Sequence, residues 1–284
     1  MNIDHTRAST LPIPAAGNTE AATETDPQPT RRKLSYRSIT VLSLIVVVAL
    51  LEVIGRQINP LFMSYPSAIT IELVKMTLDG RLVWAFLESL EPLLAGFAVA
   101  VLLGVPLGVL IGRFRSVEAA IGIYITAGYA MPLVALVPLY IMWFGLGFAV
   151  KVAIIATLTF FPVCINAWMG VKMVPRSLIE VGMSFVGSKS EILRKIVLPA
   201  SVPHIMAGLR LGVGKAIIGM IVAEFFTAIS GLGGIIINAA NAFETAQMLA
   251  PIVVIMVFAV AITALLAWAE HKIAPWHDEI TRQE

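Results

Sequence analysis

The chain has 284 residues, a formal net charge of +2, 13% charged residues and 58% hydrophobic residues, with a mean hydropathy of +0.88. A soluble domain carries about a quarter charged residues, so the composition excludes an ordinary soluble protein, and the small net charge excludes a nucleic-acid binder. The one cysteine, Cys164, has no partner for an intrachain disulfide and reads as a small buried hydrophobe.

In chain order, the first thirty residues are rich in Ala, Thr, Pro and Glu and show no periodicity. Residues 1–37 are therefore read as a disordered cytoplasmic tail. Arg31, Arg32, Lys33 and Arg37 precede an apolar run from Ile39 to Ile54. The run starts late for a signal peptide, acidic residues lie upstream, and no small-residue cleavage site follows. Residues 38–58 are assigned as an uncleaved first membrane helix. Further apolar blocks fall at 89–112, 119–144, 149–171, 206–228 and 249–269. Each is near the ~20 residues that cross a bilayer as a helix, and continuous apolar runs in lipid must be helical. The fold expected is all-α, with about six transmembrane helices.

Between the first two blocks, 59–88 is an extracytoplasmic segment with a short surface-lying amphipathic helix. Ile69, Leu73 and Met76 share one face, and Asp79–Gly80 stops it. Gly104, Gly108 and Gly112 repeat at four-residue spacing, as do Gly208 and Gly212. Close packing within one subunit is the main reading and a dimer seam the alternative. Residues 89–270 form the core, and 271–284 a cytoplasmic tail.

Lys and Arg positions set the orientation. Of 20 such residues, Arg56, Lys75, Arg81 and Lys151 fall outside, and Arg210 and Lys215 lie within the fifth block. The other fourteen are inside if both termini are cytoplasmic. The loop 172–205 is then cytoplasmic too.

Enzyme signatures are missing. "GVGKA" (212–216) lacks the glycine and hydroxyl of a phosphate loop. His5, His204, His271 and His277 are scattered, so no metal site is expected, and no GxSxG elbow occurs. No catalytic residue is assigned. Arg210 and Lys215 near the cytoplasmic end of the fifth block, Glu224 near its outer end and Glu52 are read as snorkelling towards an interface. Without a midplane carboxylate there is no evident ion-coupled energy source. A stand-alone secondary transporter or channel is the disfavoured alternative.

The 172–205 loop is patterned. Pro175 opens a helix in which Leu178, Val181 and Phe185 form a stripe. Gly187 and Ser188 break it, and a second short helix carrying Ile192 and Ile196 ends at Pro199. Two short cytoplasmic helices on a membrane protein read as a docking element.

From Glu180 to Pro203 the loop resembles the "EAA" loop of bacterial ABC-importer permeases. Glu180 stands nineteen residues before Pro199, and "IVLPASVP" (196–203) matches the ending. The family glycine falls at Val186, with Gly187 expected to supply the left-handed turn one residue late, and Val181 replaces the first usual alanine. "MPLVALVPLYIMWFGLG" (131–147), "GLGGII" (231–236) and "LLAGFAVAVLLGVPLGVLIG" (93–112) are similar to permeases for nitrate, aliphatic sulfonates and taurine. Pro92 stands where an arginine is frequent. The resemblance covers about 60–270. It implies a type I ABC-importer permease fold in the bacterial cytoplasmic (inner) membrane, paired with a second copy as a homodimer or with a related subunit.

It further implies two copies of a cytoplasmic ATPase and an extracytoplasmic substrate-binding protein. No cofactor is expected in this chain, with ATP and Mg on the ATPase; lipid surrounds it and nucleic acid has no role. Glu180, Val181, Gly182, Gly187, Ser188, Lys189, Leu198 and Pro199 would form the ATPase-coupling surface. Pro132, Pro138 and Trp143 are placed near the translocation path, with helix kinking and packing as the alternative.

Overall fold

The computed structural model describes residues 36–185, 187–227 and 230–274. The 1–35 stretch of the expected tail, Val186 and residues 275–284 lie outside the described residues. The chain divides into two compact units between Ile45 and Val46. The first holds the start of α1 (Tyr36–Gln57), whose side chains from Ile39 to Ile45 are exposed. The second holds everything that follows.

In that second unit the end of α1 is tied to α2 (Pro66–Leu78). Glu52 accepts hydrogen bonds from the Ser67 backbone N–H (2.9 Å) and hydroxyl (2.7 Å). Arg56 pairs with Glu52 and lies 4.9 Å from the Tyr65 ring centre. Proline at the first turn suits α2, because that N–H has no helical partner. Gly80 stops it in the left-handed region (φ 79). Asp79 accepts the Arg81 N–H at 3.0 Å, which with the Arg81 guanidinium holds its carboxyl below the ordinary 3.8. The helix does more than lie on a surface. Met76 is fully buried against Leu82, Ala85, Leu232 and Ala250.

Helix α3 (Arg81–Arg113) starts eight residues before the apolar block predicted from 89. Glu88 and Glu91 interrupt the apolar pattern there, and both Ser89 and Leu82 are buried. Its glycines face α6 (Phe148–Lys172). A Cβ on Gly104 would stand 3.2 Å from the Phe160 carbonyl oxygen, and one on Gly108 would run into that of Cys164. On α9 (Leu198–Thr227), a Cβ on Gly208 would stand 2.6 Å from the Asn166 Cβ. Both glycine repeats are therefore used inside this chain, as close helix contacts require, and they do not form a dimer seam. The centre of the bundle is α6, with Ile154, Ile155, Thr159 and Cys164 at 0% exposure.

The apolar block 119–144 is not one helix. It divides into α4 (Arg115–Ala130), a 3-10 turn (Leu133–Leu136) and α5 (Val137–Phe144), bent by 88°. Pro132 forces Met131 into extended backbone (φ −71, ψ 143), because the ring clashes with a helical predecessor. Pro138 is tolerated in the first turn of α5. Among the described residues, five helices are long and apolar enough to cross a membrane, or six if this bent pair counts as one.

Two more boundaries differ from expectation. After α7 (Arg176–Ser184) and α8 (Lys189–Ile192), the chain does not stop at Pro199. It passes through a π turn (Leu193–Val197) straight into α9. Proline clashes with the carbonyl four residues earlier, and the wider turn preceding Pro199 relieves that crowding. Between the predicted blocks 206–228 and 249–269 lies α10 (Gly231–Asn241), and α11 (Thr245–Ile273) starts four residues before the second block.

Candidate functional site

The 172–205 loop is built on α7. One face turns inward: Ile179 packs with Val171, Val174, Ile192 and Val197. Gly182 is the contact point, since a Cβ there would stand 2.5 Å from Ile196 Cδ1. The Gly187 N–H donates to the Gly182 carbonyl at 3.2 Å. Gly187 is not left-handed: among described glycines, positive φ occurs at Gly80, Gly145, Gly147 and Gly231. Its requirement is close approach, because a Cβ would stand 2.9 Å from the Gly182 oxygen. Val186, where the family glycine falls, is outside the described residues.

Ser188 then caps α8. Its hydroxyl accepts the Glu191 N–H at 3.3 Å, and the Glu191 carboxylate accepts the Ser188 N–H at 3.0 Å. This reciprocal pair satisfies two donors that a helix start would leave bare. A cavity of about 460 Å³ runs beneath, lined by Gly112, Arg113, Val171, Met183, Lys189 and Val197 among others. The loop thus borders the C-terminal ends of α3 and α6.

The opposite face of α7 is open. Glu180, Val181, Ser188 and Lys189 are exposed; Gly182, Gly187, Leu198 and Pro199 are half-buried. The stripe of Leu178, Val181 and Phe185 does not pack on the bundle, and Phe185 is 84% exposed. Glu180 bonds through its backbone carbonyl to the Ser184 hydroxyl, leaving its carboxylate directed to solvent. An apolar ridge with a carboxylate, on a helix seated by Gly182, can transmit a push; it holds no reacting group.

Pro132, Pro138 and Trp143 lie at the α4–α5 bend and on α5, and all three are exposed. Trp143 packs edge-on against Tyr140, with ring centres 6.1 Å apart. The Tyr140 hydroxyl donates to Thr157 at 2.9 Å, which anchors α5 to α6.

A polar network at the other end of α9 was not anticipated. Glu224 is 0% exposed and does not snorkel. It accepts the Gly233 N–H at 2.7 Å and lies 3.9 Å from Lys151, itself 6% exposed. Lys151 donates to the Ser230 hydroxyl at 3.0 Å. Glu88 accepts from Gly231 (3.1 Å) and Ser89 from Leu232 (2.8 Å). The first N–H groups of α10 are thereby satisfied by side chains of α3 and α9. Such groups carry partial positive charge, which suits two carboxylates. The signal in the sequence was "SGLGG": Gly231 has φ 81, and a Cβ there would run into the Glu224 carboxylate.

A bundle of membrane-length apolar helices, with one bent pair and a glycine-seated pair of short helices, defines a multi-pass membrane protein. Comparison with known proteins makes this specific. Residues 104–275 match the family described as the binding-protein-dependent transport system inner membrane component, and the chain belongs to it. The taurine transport system permease protein TauC of Escherichia coli (strain K12) is 30% identical over 78% of this chain and 83% of that protein. The putative aliphatic sulfonates transport permease protein SsuC of Bacillus subtilis (strain 168) is 29% identical over 82% and 85%. A chain in the crystal structure of an amino acid ABC transporter with histidines shares the fold. Its TM-score is 0.51 at 15% identity, covering 72% of this chain and 94% of that one. The chain is a multi-pass inner-membrane permease subunit of an ABC transporter, which sets aside the stand-alone secondary transporter.

Proposed function

We propose that this subunit forms the translocation path of an importer with a second copy of itself, and takes its driving force from an ATPase docked on α7. An extracytoplasmic binding protein would deliver the solute, and ATP with Mg would be held by the ATPase. The observation that carries this is the outward ridge of Leu178, Val181 and Phe185 beside the free Glu180 carboxylate, on a helix fixed to the bundle through Gly182. An apolar patch of this kind on a charged surface fits a protein partner, and rigid-body closure of that partner would move α7 with α8 and α9. The taurine and sulfonate relatives support a small sulfonate or related compound as solute.

Glu180→Lys reverses the charge on the ridge. In the assembled transporter it is expected to lower binding-protein-stimulated ATP hydrolysis and taurine uptake by about tenfold or more, the scale of a misplaced interface charge. The chain should remain in the membrane fraction. Gly187→Pro, which removes the N–H bonded to Gly182, should act alike. Normal uptake of both taurine and an alkanesulfonate in both variants, with hydrolysis still coupled, would sink the proposal.

A further inference from the structure

Three charged residues lie within the membrane part of α9, and they are treated differently. Arg210 is bonded to Glu270 at 2.5 Å. Glu224 is buried beside Lys151. Lys215 is exposed, and among the described residues nothing pairs with its ammonium. It lies five residues beyond Arg210, or about 8 Å deeper at the rise of an α-helix.

Its surroundings are open. Leu211 is 58% exposed and Ile218 51%, and a Cβ on Gly214 would meet nothing within 4 Å. The other side of α9 is fully engaged, with Val213, Ala216, Ile217 and Met220 in the core beside Ile155 and Leu93. One face of the helix therefore packs the bundle, and the other carries an unneutralised cation at membrane depth. A bare ammonium in hydrocarbon is costly, so such a residue faces water or a ligand.

We propose that this face of α9 lines the translocation path and that Lys215 contacts anionic solutes in transit, giving the permease its own preference for anions over cations. This rests on the importer reading above. It adds that part of the charge selection resides in this subunit as well as in the binding protein. A second copy would bring a second Lys215 to the same path and reinforce the positive field.

The probe is chemical and needs no knowledge of the solute. Cys164 is fully buried and is the chain's one cysteine, so Cys164→Ser gives a silent background in which Ile218→Cys reports on the face one turn from Lys215. The full-length chain, in membrane vesicles with its ATPase, is treated with two water-soluble methanethiosulfonates, one bearing a sulfonate and one a trimethylammonium. Each rate is normalised to that with free cysteine. The sulfonate reagent is expected to react about tenfold faster than the ammonium reagent, the lower range for focusing by a like-signed cleft. Lys215→Gln should bring the ratio near one, and Lys215→Arg should keep it.

Absence of labelling would show that the face lies in lipid, with Lys215 snorkelling to the headgroups, and would overturn the proposal. So would a ratio unchanged by Lys215→Gln. Failure of the importer reading shows separately, as unaltered uptake in Glu180→Lys whatever the labelling gives.

Discussion

At the scale of single residues, glycines and a serine set the geometry of the 172–205 loop. Gly182 and Gly187 are required because two backbones touch, the Gly187 N–H lying 3.2 Å from the Gly182 oxygen. The expectation of a left-handed Gly187 failed because a glycine in a motif is compatible with either unusual φ or close approach, and only coordinates separate the two. Ser188 is different: Ser188 and Glu191 at i and i+3 are a helix-start signature visible in the sequence. Replacing Ser188 with Ala should speed amide exchange at Glu191 about fivefold, the effect of losing a typical cap. Ser188→Thr should restore most of the protection. Hydrogen exchange on the purified chain checks both, and equal protection in Ser188→Ala would remove the cap from the account.

At the scale of elements, α10 shows why part of the site was illegible. Its sequence is short and rich in glycine, and it lacks the charge pattern that marks a helix start. Its first N–H groups are satisfied by Glu88 and Ser89, each 143 positions away, and by Glu224 on α9. The Lys151–Glu224 pair locks α6 to α9 in the same place. Lys151→Met would leave Glu224 buried without its cation and is expected to cost about 3–5 kcal/mol. Adding Glu224→Gln should recover most of that, because the uncompensated charge is then gone. Thermal unfolding of the two variants in detergent decides this: a double variant no more stable than Lys151→Met would mean the pair contributes little. The 119–144 block failed for another reason. It is apolar enough on both sides of the 88° bend to pass as one span, so hydropathy could not see it, although Pro132 and Pro138 could have.

For the whole molecule, orientation follows from charge placement, with fourteen of 20 Lys and Arg assigned inside. A phosphatase active only outside the cytoplasm should be inactive when fused after Ser190 and active when fused after Gly80. The opposite pattern would invert the topology and remove the docking surface. By itself the sequence determined the all-helical membrane class, the charge bias, and a pair of short helices from Pro175 and the break at Gly187 and Ser188. These depend on local properties: apolar length matched to the bilayer, proline and glycine stereochemistry, and the sign of flanking charges. Tertiary structure decided which glycines touch, that the ridge of Leu178, Val181 and Phe185 faces outward, and that Glu224 is buried while Lys215 is bare. Those outcomes depend on which helix faces which. Charged side chains on one helix have different fates when α6 covers one side of α9 and, among the described residues, the side carrying Leu211, Lys215 and Ile218 stays exposed.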